Sequence, residues 1–290
     1  MAQSKKHHYI PRFYLKGFTN ENNDFFIYDK EKDEIRKSNP DNSFFEKYRN
    51  SGTVKNERFD LPEQMLAYFD GRTANILEII RNSNVNDHVL TPENLYIIRF
   101  FIASTFWRIP KNDSLREKII DEYSFKDLGF GFFNKETGER MRNEEEMFKD
   151  IDLFRKLYTS ILPNVSFMNK YKTENYDDWR LIHRTNKVHI TGDNPIIFQN
   201  GYKDFDSLHH NLIMPLSSGK VLLCTHRNVP KTFPPHFNLL MDMIILYQSE
   251  RYICSSNEDY LRIIIEKVYK ISVGKNWEQN MIDELFKFFS

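Results

Sequence analysis

Two cysteines among 290 residues, Cys224 and Cys254, exclude a disulfide framework, and their separation of thirty positions fits no paired-CxxC zinc site. Charge of one sign is not in excess either. Lys plus Arg number 41 and so do Asp plus Glu, so nothing in the global balance draws the chain to nucleic acid or an anionic surface, and an electrostatic partner has to be met by a local patch. No apolar run approaches the roughly 18 residues of a membrane span, and the start lacks the apolar core of a signal peptide, so a soluble, cytoplasmic protein without membrane contact is expected. Glycine is scarce, at 10 residues. There is no Walker loop, GxSxG or HExxH, and GFGFF lacks the third glycine and the βαβ setting of a nucleotide fingerprint. What remains is apolar and aromatic: 40% apolar residues, with 25 Phe and 15 Tyr, fill a real core.

FFIYDKEKDEIRKS offers two extended runs about a polar turn, which predicts a hairpin. DLPEQMLAYFDGRTANILEIIRNSN predicts an amphipathic helix, with Asp60 as N-cap and Glu63 completing a capping box. TPENLYIIRFFIASTFWRIP predicts a second, capped by Thr91, apolar nearly all round and therefore central and buried, ending near Pro110. NDSLREKIIDEY continues as a short helix, and Asn143 with Glu146 opens another that carries Met147 to Ile161. From residue 178 the period shortens: WRLIHR, KVHITG, PIIFQN, NLIMPL and KVLLCTH are strands, with TN and SSG as turn signals and Pro215 at an edge or bulge. Helices close the chain near 236–248, at EDYLRIIIEKVYK and at WEQNMIDELFKFF. No repeat or linker interrupts the pattern. The expected fold is a single α+β domain, 1–290: motif and hairpin to 58, helices 59–172, a mainly antiparallel sheet 178–226, and C-terminal helices 236–290.

The most unusual stretch is KKHHYIPRFYLKGF, which gathers adjacent histidines, cationic side chains and aromatic rings without a carboxylate. If YIPRFYL is extended, His8, Ile10, Arg12 and Tyr14 share one side, and Tyr9, Pro11 and Phe13 the other. His8 could then act as a general base and Arg12 could hold an anion, unless the segment is simply a basic arm anchored by its rings. Arg108 lies on the apolar helix, one turn from Ser104. A buried guanidinium needs a partner, either an internal carboxylate or a ligand's phosphate or carboxylate. Glu63 and Asp70 share a helix face with small Ala67 between them, a surface that could ligate a divalent metal, although such a face is more often solvated. HITGDNPII is a strand-end turn in which Asp193 could orient a histidine or bind metal, and in which an Asx-turn explains it equally well. Cys224, His226, His236 and Cys254 match no zinc spacing.

HHYIPRFYLKGF, EQMLAYFDGRTANILEII, TFWRIP, ITGDNPI and MPLSSGKVLL, in that order, resemble an uncharacterised, mostly bacterial family, domain of unknown function 4238. The resemblance singles out His8, Tyr9, Pro11, Arg108, Pro110, Asp193, Asn194, Pro195 and Pro215, and it tilts Arg108 towards an open pocket. Thr105 and Asp70 stand where the family pattern has glutamine and glutamate. A histidine, carboxylates and an arginine are what phosphodiester cleavage requires. The first expectation is therefore a hydrolase of nucleic acid or nucleotides, an effector in a bacterial conflict system. His8, Arg108 and Asp193 would meet in one catalytic pocket, Arg12, Tyr9 and Asn194 would hold substrate, and Glu63 and Asp70 would hold Mg²⁺ or Mn²⁺. The alternative is a non-catalytic module that grips an anionic ligand, a nucleic acid or a phage protein.

Overall fold

The computed structural model describes residues 5–84, 88–141, 149–167, 176–184, 188–270 and 277–289. The opening motif is not one extended run. Strand β1, Lys6–His8, pairs with β4, Phe45–Lys47, and the chain then turns at Pro11 into the short helix α1, Arg12–Leu15. Pro11 sits at the N-cap with extended geometry, where its missing N–H costs nothing. The expected alternation of His8 with Arg12 and Tyr14 therefore does not hold. Tyr9, Ile10, Tyr14 and Leu15 are buried, so this segment is part of the core rather than a loose arm.

The hairpin forms as expected from β2, Phe25–Asp29, and β3, Glu34–Ser38, followed by a small ribbon of β5, Gly52–Val54, and β6, Glu57–Phe59. Helices α2, Leu61–Asn82, α3, Pro92–Arg108, and α4, Asp113–Glu122, follow the apolar periodicity. Thr91 caps α3 by accepting from the Asn94 amide. Asp60 stands at the N-cap of α2 but makes no capping bond, because its carboxylate accepts from the Ser51 hydroxyl, and Glu63 is likewise drawn away by Asn50. Helix α5 spans Asp152–Val165; the expected start at Asn143, Glu146 and Met147 lies outside the described residues, as does the TN turn at 185–186.

The five expected strands appear as β7, Trp179–His183, β8, Ile190–Gly192, β9, Ile197–Phe198, β10, Leu212–Ser217, and β11, Lys220–Cys224. A register shift between Pro215 and Ser217 gives the proline its bulge. After α6, Pro235–Gln248, comes β12, Tyr252–Ser255, which the sequence reading passed over. It matters, because these strands do not form one sheet. One antiparallel sheet runs β7-β11-β10-β9; the other runs β3-β2-β12-β8, joining the N-terminal hairpin to the second half. The chain ends in α7, Glu258–Ile264, with a π-helical turn Ile265–Tyr269, and α8, Trp277–Phe286.

Alternation along the strands divides the interior. Leu212, Met214, Leu222 and Cys224 join a core with the rings of Tyr14, Phe101 and Trp107, whereas Ile213, Val221 and Leu223 join a second core with Phe237, Ile244 and Leu285. Tyr28 and Ile253 face that second core, and Ile27 and Cys254 the first. Both sheets are therefore covered on both faces, α1 to α5 on one side and α6 to α8 on the other, an α+β arrangement with the sheets in the middle.

Candidate functional site

The GDNP turn is fastened to the end of α6. Both oxygens of Asp193 are used: one accepts from the Glu250 amide at 2.9 Å, the other from the amides of Arg251 and Tyr252 at 2.8 Å each. Burial is the larger influence on this carboxyl and raises its pKa, although the three amides and the nearby Lys30 pull it down. Gly192 lets β8 approach closely, since a Cβ there would meet Ser249 Oγ at 2.1 Å. Asn194 donates to the Gln248 carbonyl at 3.2 Å, and the Gln248 amide donates back to the carbonyls of Asn194 at 2.5 Å and Ile196 at 3.1 Å.

Two ammonium groups from distant segments close on the same helix end. Lys30 Nζ donates to the Ser249 carbonyl at 2.5 Å and Lys111 Nζ to that of Gln248 at 3.1 Å, where unpaired carbonyls and the helix dipole favour cations. Burial brings the Lys30 pKa down to about 8; Lys111 adds to the lowering, while Asp193 and Glu278 oppose it. Tyr9 reaches the same neighbourhood. Its hydroxyl is held well above its ordinary pKa by burial and then by the charge of Asp193, and the Arg49 guanidinium lies 5.9 Å from its ring centre. Of the residues picked from the sequence, the fold thus brings together Tyr9, Asp193 and Asn194.

The others sit in separate networks. Arg108 is buried and pairs with Asp70 through both guanidinium nitrogens, at 2.7 and 3.0 Å, with a longer bond of 3.5 Å to the Leu66 carbonyl. Of the two partners expected for it, the internal carboxylate is the one it has, and the expectation of an open pocket is corrected: α2 lies directly against α3, and their apolar contact carries the two charges into register. Glu63 accepts from Asn50 at 2.7 Å and lies 3.7 Å from His7 Nδ1. Glu63 and Asp70 therefore answer different protein donors two helical turns apart, and as a pair they do not fit one shared metal ion. Among the described residues, no group of three or more His, Cys, Asp or Glu side chains is placed to hold a metal.

His8 packs on Phe45 with ring centres 5.6 Å apart, and burial, then the Arg12 charge, lowers its pKa to about 4. Arg12 itself is exposed and paired with Asp41 at 2.8 Å. Among the described residues no hydrogen bond or ion pair joins any two of His8, Arg108 and Asp193, so the expected catalytic trio is distributed over three networks.

Beside the GDNP turn opens a cleft of about 700 Å³. Its walls are aromatic: Phe106 stacks on Tyr202 at 4.5 Å, and Tyr247 meets Trp277 edge-on at 4.3 Å. Its polar lining includes Lys111, Asn194, Gln248 and Glu278. Sequence reasoning missed Lys111, Tyr247, Gln248 and Trp277, because the cleft is assembled from the end of α3, the GDNP turn, the end of α6 and the start of α8. The one signal within reach was a glutamine ending an otherwise apolar helix.

A cleft of this size with ring-bearing walls and a few placed polar groups has the make-up of a small-molecule site. Comparison with curated proteins and with solved structures found no match in either. A family model described as a protein of unknown function, DUF4238, matches residues 6–259 of the 290, and the chain belongs to that family.

Proposed function

We propose that this protein is a binding module for an anionic ligand with a planar ring, of the nucleotide class, taken up in the cleft beside the GDNP turn. The observation that carries this is the conjunction, in one cavity, of two aromatic pairs with the Lys111 ammonium. Rings offer a stacking surface that any nucleobase can use, and an ammonium with donors to spare can hold a phosphate. Lys30, behind the same helix end, adds positive potential.

Binding is favoured over hydrolysis because the groups assigned to cleavage are already occupied. Asp70 neutralises Arg108, three amides take the oxygens of Asp193, and Glu63 holds Asn50. Titration calorimetry with mononucleotides and short oligonucleotides, with and without Mg²⁺ or Mn²⁺, tests the proposal. Binding is expected without added metal. Lys111→Glu should weaken it roughly tenfold or more through loss of a charge-assisted bond. Trp277→Ala should weaken it by about 1–3 kcal/mol, the usual value of one stacked base. Phosphodiester cleavage that appears only with metal in the same samples would return the hydrolase reading to first place.

A further inference from the structure

Four side-chain amides line the cleft: Asn112, Asn194, Gln248 and Gln279. In each, the orientation is set by what the nitrogen meets. Asn112 Nδ2 donates to the Phe106 carbonyl at 2.7 Å and Asn194 Nδ2 to that of Gln248 at 3.2 Å. Gln248 Nε2 donates to two carbonyls, and Gln279 Nε2 to the Gln199 carbonyl at 3.4 Å and the Asp283 carboxylate at 2.8 Å. Since every partner is an acceptor, none of the four amides can be flipped without setting oxygen against oxygen. The consequence is one-sided. The nitrogens are committed to the protein, while none of the four amide oxygens receives a hydrogen bond from the described residues. Glu278 adds a carboxylate to the same lining. Apart from Lys111, the polar groups that the cleft offers a ligand are thus acceptors.

We infer that the cleft selects planar ligands whose ring edge carries an amino group, so that among nucleotides it takes amino-bearing bases and disfavours their oxo counterparts. The inference rests on the proposal that the cleft binds nucleotides and names the base class within it. An exocyclic amine donates to amide oxygens of this kind, whereas a carbonyl at the same ring position sets lone pair against lone pair. A site whose polar groups are fixed in advance rejects the mismatched analogue far more strongly than an apolar pocket rejects a change of size. Lys111 remains for the phosphate, so the two ends of the ligand are recognised by opposite chemistry.

The test compares pairs that differ at one ring position: adenosine with inosine 5′-monophosphate, and cytidine with uridine 5′-monophosphate, titrated into the full chain by calorimetry. The amino member of each pair should bind roughly tenfold or more tightly. In Trp277→Ala both members should weaken together, which ties the preference to this cleft. If both members of each pair bind with affinities within twofold, the amino selectivity is overturned and the nucleotide site stands. If the oxo member is preferred, the acceptor lining is overturned as the selector. If none of the four binds, the nucleotide site and its selectivity fall together, and unchanged affinities in Trp277→Ala would remove the cleft from the assignment.

Discussion

Arg108 and Asp70 are ordinary members of helices that pack for apolar reasons, yet the packing leaves them no choice of partner. Removing the guanidinium strands a carboxylate that is only partly open to water, with a side-chain exposure of 29%. Arg108→Ala should therefore cost roughly 3 kcal/mol in denaturant unfolding, the lower end of the range for a broken buried pair because some solvent reaches Asp70. A loss below about 1 kcal/mol would mean the pair contributes little. Asp193 makes the complementary case. In Asp193→Asn one of the two oxygens becomes an NH₂ facing an amide, either that of Glu250 or those of Arg251 and Tyr252. The expected loss is about 1–3 kcal/mol, for a buried donor left unsatisfied. The sequence offered two readings of each residue, and in each case it was the local chemical need that was legible. That a buried guanidinium requires a partner follows from its type; which carboxylate answers depends on how two helices are rotated, and no single segment records that.

At the scale of elements, legibility follows the length of the periodic signal. Helices α2 and α3 carry enough turns for the apolar stripe to show, and the strand runs after residue 178 stand out by their Ile, Val and Leu content. β12 is four residues long, YICS, and its role is defined by neighbours, with β2 on one side and β8 on the other. Sheet membership is a long-range property, so the division into two sheets was out of reach. The N-terminal motif was misjudged for a local reason: Pro11 fits a helix start as well as an extended run, and only burial of Tyr14 and Leu15 decides between them. Gly192 shows how close the element contacts are. Gly192→Ala would drive a methyl towards Ser249 Oγ and to 3.0 Å from the Tyr252 carbonyl, prising β8 from the segment its own Asp193 holds. A stability loss of roughly 1–3 kcal/mol is expected from such overpacking. Nucleotide affinity should fall with it, measured by calorimetry below the melting range, since Asn194 and Gln248 lose their fixed positions.

For the whole molecule, the two cores on either side of the sheets explain how segments far apart in sequence hold neutral histidines out of water. His209 is fully buried, and burial, reinforced by the Arg99 charge, lowers its pKa to about 3; His8 is held at about 4. Both titrate near 6.5 once the chain unfolds. Between pH 6.5 and 4 the unfolded chain therefore binds protons that the folded chain does not, so stability must fall as the pH falls through that window. Asp29, Asp33 and Asp41, whose carboxyls are held below their ordinary pKa, extend the loss to lower pH, because they too protonate first in the unfolded state. Urea unfolding followed from pH 7 to 4 should show a steady decline that begins near 6.5, before the carboxylates contribute. His8→Gln separates the contributions. Its side chain does not titrate, so the slope between pH 6 and 4.5 should shrink by the share of one proton, whatever the substitution does to stability at pH 7. A slope unchanged by His8→Gln would mean that His8 takes up its proton equally well in the folded chain, and that the N-terminal motif is more open to water than its packing against Phe45 implies.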